Sequence, residues 1–124
     1  MLLNDLYTIE SLTKKEDRIQ VTVKLMSDHA IFKGHFPGQP VLPGVCMMEM
    51  IAEITGQILQ KSFRISGGPM IKFLRMIDPE RNPRISLEIK WESIAGKTNT
   101  DGKIFFGSET FMKFQLILVP DTVI

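Results

Sequence analysis

The sequence predicts an α+β fold in which one antiparallel sheet wraps around one long central helix. Three observations carry the prediction. Val45 to Leu59 is a long apolar run with few breakers. The segments on either side alternate apolar and polar residues with the period of two that marks half-buried strands. The predicted elements run as two strands, one helix and four strands. No strand–helix alternation appears, so a doubly wound parallel sheet is disfavoured and a sheet curled on a single helix is the economical arrangement. The 124 residues fit one domain, 1–124.

Leu6 to Leu12 reads as a short strand, with Tyr7, Ile9 and Leu12 apolar. Thr13 to Asp17 is a charged turn. Arg18 to Leu25 alternates cleanly, with Ile19, Val21, Val23 and Leu25 facing one way, so the first two strands form a hairpin. Ser27-Asp28-His29 breaks the pattern, and Ala30 to Phe32 forms a helical turn. After the helix, Ser66-Gly67-Gly68-Pro69 reads as a turn and Ile71 to Met76 as a strand. Arg84 to Trp91 alternates again. Gly96 to Gly102 reads as a polar turn, followed by strands at Lys103 to Phe106 and Thr110 to Val119.

The helix is expected to begin at Pro43, because proline suits the first helical position, and to end near Lys61. Its acids and amides, Glu49, Glu53, Gln57 and Gln60, recur at three- and four-residue spacing and make one narrow stripe. A helix apolar nearly all round is buried. Here the sheet must cover it, or a second subunit must close the open side.

Composition bounds the function. Hydrophobic residues are 44%, charged residues 23% and the formal net charge +1, which implies neither a nucleic-acid nor a membrane partner overall. Residues 61–90 nevertheless hold seven Lys/Arg against three acids. That excess is either a solvated edge strand or a landing site for an acidic partner or a phosphate. The single cysteine, Cys46, excludes an internal disulfide framework and reads as a small core residue. Met1 to Glu10 lacks a basic region followed by an apolar one, so no signal peptide is expected. No apolar stretch reaches the ~18 residues of a membrane span. The expected location is cytoplasmic. No metal site is expected, since His29 and His35 lack a third ligand at a usual spacing, and no cofactor is expected.

The loop before the helix packs three prolines and three glycines into Gly34–Gly44, and it carries His35. Glu49 follows in the apolar helix. Burial of that carboxyl would raise its pKa and keep its proton near neutral pH, while a neutral imidazole nearby would act as a base. A base and an acid are what loss of water across a Cα–Cβ bond requires. The N–H groups of Gly44 and Val45 at the helix start could stabilise the enolate that forms, and Gly44 would let a substrate come close.

The run Gly34-His35-Phe36-Pro37-Gly38-x-Pro40-x-x-Pro43-Gly44-Val45-x-x-x-Glu49 resembles the signature of the 3-hydroxyacyl-[acyl-carrier-protein] dehydratases of the hotdog fold. The resemblance implies dehydration of a 3-hydroxyacyl thioester, with His35 and Glu49 catalytic and contributed by different subunits of a homodimer or higher homo-oligomer. It implies substrate contacts from Phe36, Pro43, Gly44 and Val45, an acyl tunnel along the helix, and Gly44 N–H on the thioester carbonyl. Lys72-Phe73-Leu74-Arg75 resembles the family's basic strand, so Lys72 and Arg75 are expected to dock the acyl carrier protein, whose phosphopantetheine bears the substrate. Three departures stand out. Members usually begin with a helical segment holding a Pro-His-Arg-x-Pro-Phe-like stretch, and this chain starts beyond it. Glu53 stands where glutamine is usual. Asp78-Pro79-Glu80-Arg81-Asn82-Pro83 replaces a Pro-Gly-Asp turn.

Two other readings stay open at this point. One is a hotdog acyl thioesterase, with a helix carboxylate activating water. The other is a non-catalytic acyl-binding hotdog subunit.

Overall fold

The computed structural model describes residues 1–34, 38 and 40–121. In chain order the elements are β1 (Tyr7–Lys15), β2 (Arg18–Leu25), α1 (Ile31–Gly34), α2 (Gly44–Leu59), β3 (Phe63–Phe73), β4 (Arg84–Ile94), β5 (Lys97–Phe106) and β6 (Glu109–Pro120). The six strands form one sheet, ordered β1-β2-β4-β5-β6-β3, and every pair is antiparallel. The expected architecture is present, two strands, a long helix and four strands.

Alternation decides which face is buried. Ile19, Val21, Val23 and Leu25 on β2 are buried, and the first three pair with Ile89, Leu87 and Ile85 of β4, buried as well. On β6, Phe114, Leu116 and Leu118 continue the apolar face. The core side of α2, built from Cys46, Met47, Met50, Ile51 and Ile54, packs into the same cluster. Burying each such aliphatic side chain is worth about 1.5–3 kcal/mol, so this face fixes where the helix lies.

Three local expectations are revised. Ser66 to Pro69 is not a turn but part of β3, which runs through it with register shifts between Ile65 and Gly67 and between Gly67 and Met70. β3 is an edge strand, and only there does a bulge with a proline cost no ladder hydrogen bond. Asn99 to Gly102 is not a turn either. Thr98 and Thr100 point into the core, and the Thr100 hydroxyl donates to the Leu116 carbonyl at 2.9 Å. The reversal falls earlier, at Ala95-Gly96, with φ of 52° and 79°, as a tight two-residue hairpin needs. Gly102 instead lies opposite Phe114, whose ring would stand 3.0 Å from an added Cβ. Finally, Pro43 caps α2 rather than opening it, with extended backbone at φ −63° and ψ 145°.

Candidate active site

The site is built on the start and the open face of α2. Pro43 has no side chain that can cap. Its carbonyl accepts from Cys46 N–H at 3.0 Å and Met47 N–H at 3.2 Å. Gly44 and Val45 are the residues before those donors, and among the described residues nothing accepts from their N–H groups. Both amides sit at the positive end of the helix dipole. Val45 is 72% exposed. At Gly44 the close approach is made by a side chain of this chain: an added Cβ would lie 2.6 Å from the Phe73 ring.

Val45, Glu49, Glu53 and Gln57 fall on one face at helical spacing. Glu49 was expected to be a buried acid. In this chain it is exposed, as are Val45 and Gln57. Glu49 is still raised from its usual value, first by partial burial and then by the charge and hydrogen-bonding of Glu53. Asp121 adds to the rise, and the terminal amine opposes it. The same desolvation, together with Glu49, pushes the Cys46 thiol up, which fits a core cysteine rather than a nucleophile.

Glu53, by contrast, is buried, at 8% exposure. Its Oε2 accepts from Leu2 N–H at 2.8 Å, and its Oε1 accepts from Leu3 N–H at 2.9 Å and from the Tyr7 hydroxyl at 3.0 Å. Tyr7 is fully buried, and its phenol is pushed up by burial and by Glu53. Neither Tyr7 nor the N-terminal turn was singled out in the sequence, because nothing in the local pattern points to partners fifty residues away.

The two basic residues part company. Lys72 pairs in register with Lys113 on β6, and Lys113 with Lys103 on β5. By strand alternation Lys72 faces away from Phe73 and α2, on the outer side of the sheet. Arg75 lies beyond the strand. Its backbone N–H bonds the Phe111 carbonyl at 3.3 Å, and its guanidinium lies 3.8 Å from Glu109. It lines a groove of about 660 Å³ in which Arg75 and Arg81 are set against Asp78, Glu80 and Glu109. His35 and Phe36 lie outside the described residues.

A bent antiparallel sheet wrapped on one helix, with a glutamate one turn past the helix start, defines a hotdog protein. Comparison with known proteins narrows this. The ApeI-like profile (ApeI dehydratase) matches residues 11–108. The chain is 30% identical over 105 residues to the 3-hydroxyacyl-[acyl-carrier-protein] dehydratase FabZ of Koribacter versatilis, covering 77% of this chain and 66% of that one. To the FabZ of Novosphingobium aromaticivorans it is 35% identical over 77 residues, 60% of this chain and 48% of the relative. The matches thus span about half to two thirds of these relatives' length. Among solved structures, the dehydratase heterocomplex ApeI:P from Xenorhabdus doucetiae superposes with a TM-score of 0.71 at 20% identity, over 90% of this chain and 96% of that one. The chain belongs to the ApeI-like dehydratase family.

Proposed function

We propose that the protein dehydrates a 3-hydroxyacyl thioester carried on acyl carrier protein to the trans-2-enoyl thioester. The observation that carries the reading is the open face of α2. There Glu49, its carboxyl pushed up by partial burial and by Glu53, stands one turn beyond the Gly44 and Val45 amides, which no described residue accepts from. The substrate carbonyl would accept from the helix-start amides, Gly44 N–H first. His35 takes the Cα proton, and the charge moves onto the carbonyl oxygen. As the Cα–Cβ double bond forms, Glu49 gives its proton to the departing hydroxyl, which leaves as water. A proton then passes from His35 back to Glu49 to reset the pair. Pro43, Val45 and Phe36 are assigned to the substrate's path.

Glu49 is uncovered in one chain, so the site needs a second subunit. We take that subunit to be another copy, its His35 meeting this Glu49. The acyl chain runs along the uncovered face of α2, since the core face is filled. The ApeI:P neighbour is a heterocomplex, and a different hotdog chain is the competing partner. Arg75, with Arg81 lining the same groove, is assigned to carrier-protein docking.

The test is turnover by the purified protein on 3-hydroxybutyryl and crotonyl carrier protein, with free thiol followed in parallel. Dehydration and hydration without thiol release are expected. His35→Ala and Glu49→Gln should each lose at least a hundredfold while remaining folded. Thiol release without enoyl formation would establish the thioesterase reading instead. No turnover alone, with turnover restored by a second chain, would establish the heteromer. Full activity in either variant removes that residue from the mechanism.

A further inference from the structure

Glu53 plays no part in the reaction as written, yet no other side chain near Glu49 is so firmly held. Its two carboxyl oxygens take three hydrogen bonds, all from donors: the Leu2 and Leu3 amides and the Tyr7 hydroxyl. All three partners donate, so both oxygens are engaged as acceptors. The donors belong to two separate pieces of chain, the N-terminal turn and β1, so the side chain has one place to be. Glu49, one helical turn back, is its neighbour on the same helix face, at the spacing that sets Cβ atoms about 5–6 Å apart. Two carboxyls this close do not both ionise at low cost, and one keeps a proton. With both Glu53 oxygens occupied by donors, Glu49 is the carboxyl left free to hold that proton. The other groups that act on Glu49 are the terminal amine, which opposes this, and Asp121, which reinforces it. Cys46 and Tyr7 are both pushed toward their neutral forms.

We propose that Glu53, fixed by the Leu2 and Leu3 amides and the Tyr7 hydroxyl, is a positioning residue that retains on Glu49 the proton delivered to the leaving hydroxyl. The inference rests on the reading of Glu49 as the acid. It makes the N-terminal turn, remote in sequence, part of the device that sets the acid's working range.

The test compares Glu53→Gln and Glu53→Asp with the unaltered protein in two measurements. One is the titration of the Glu49 carboxyl by ¹³C NMR, assigned with Glu49→Gln. The other is the pH profile of 3-hydroxybutyryl-carrier dehydration, the direction in which Glu49 must hold its proton. Glutamine removes the like charge and offers an N–H to Glu49, so Glu49 should ionise at lower pH in that variant. The alkaline limb of the profile should follow, with a loss of roughly tenfold in turnover on that side. The acid limb, set by the base, should stay in place. Aspartate keeps the charge, and its profile should fall between the other two, which also serves if glutamine loosens the N-terminal turn. A Glu49 titration and alkaline limb that stay put in both variants overturn the proposal. A titration that moves in a protein with no turnover at any pH upholds the Glu49–Glu53 coupling and overturns the dehydratase reading instead.

Discussion

Replacing Gly56 by alanine should destabilise the protein, although helix propensity alone argues the reverse. Gly56 is buried near the end of α2, and exchanging an interior helical glycine for alanine ordinarily gains about 1 kcal/mol. Here the chain turns back over the residue. The Gly56 carbonyl accepts from Gln60 N–H and from Lys61 N–H at 3.1 Å, and an added Cβ would stand 2.5 Å from the Lys61 carbonyl oxygen. A carbon–oxygen contact needs about 3.3 Å, so that carbonyl must retreat by roughly 0.8 Å. It belongs to backbone and cannot swing aside. Asp121 N–H holds the next carbonyl, that of Ser62, at 2.8 Å, and Phe63 already pairs with Pro120. Overpacking of this kind costs about 1–3 kcal/mol, and strain on the two closing hydrogen bonds adds about 1 kcal/mol. Set against the propensity gain, the net loss is about 1–3 kcal/mol. With about 2.1 cal/mol/K of unfolding entropy per residue, each kcal/mol moves Tm by roughly 4 °C, so Gly56→Ala should melt about 4–12 °C lower. Circular dichroism melts at matched protein concentration measure this, with urea midpoints as a second estimate. Gly67→Ala is the control, since its Cβ would meet only the Ile117 side chain, at 3.5 Å. A Gly56→Ala variant as stable as the parent, or more so, refutes the steric argument.

Three further outcomes follow from the same geometry. Gln60 ends α2 in the left-handed region, at φ 55° and ψ 46°, so Gln60→Gly should raise stability by about 0.5–1 kcal/mol, read as a higher urea midpoint with an unchanged slope. Tyr7→Phe keeps the packing but removes a buried hydrogen bond to a carboxylate, and should cost about 1.5–3 kcal/mol in equilibrium unfolding. The phenol is held above its ordinary 10.0 when folded, so its share of stability is present below pH 10 and lost as pH rises beyond it; the Phe variant should show a flatter alkaline decline. Arg75→Glu should raise KM for carrier-bound substrate at least several-fold while leaving a small thioester mimic unaffected. Stability should barely change, because an exposed pair such as Arg75–Glu109 contributes under about 1 kcal/mol; equal loss on both substrates would make Arg75 structural.

The fold was legible wherever burial writes a period into the chain. β2 and β4 each bury one face, and their alternation located both. The long helix announced itself by lacking a wide polar side. Misreadings arose where position in the sheet overrode residue type. Gly67-Gly68-Pro69 is tolerated in a strand because β3 lies at an edge, and strand order is invisible in local sequence. Thr98 and Thr100 are core residues within a polar run, acceptable because Thr100 has a carbonyl to bond. At the site, the motif located the helix start and Glu49 but not their cover. Whether a helix face is closed by its own sheet or left open depends on how far the sheet wraps, and Glu49 is consequently exposed. Glu53's partners were illegible for a different reason, since two of the three are backbone amides, which every residue possesses.

The strand order has a consequence for how the molecule comes apart. The β1–β2 hairpin joins the rest of the sheet through one seam, the pairing of β2 with β4 from Arg18↔Lys90 to Lys24↔Arg84. Both ends of that seam set like charges opposite each other, which weakens a ladder. Glu10 answers one of them, holding Arg84 at 2.7 Å. Between them the core-facing pairs, Ile19↔Ile89, Val21↔Leu87 and Val23↔Ile85, are all apolar and buried. Such a seam zips outward from its centre and frays from its ends, and added salt should tighten it by screening the repulsion. Its paired residues lie 60 to 72 positions apart in sequence, so its closure carries the long-range contact that slows folding. The hairpin is therefore the piece to dock last and to exchange its amide hydrogens first.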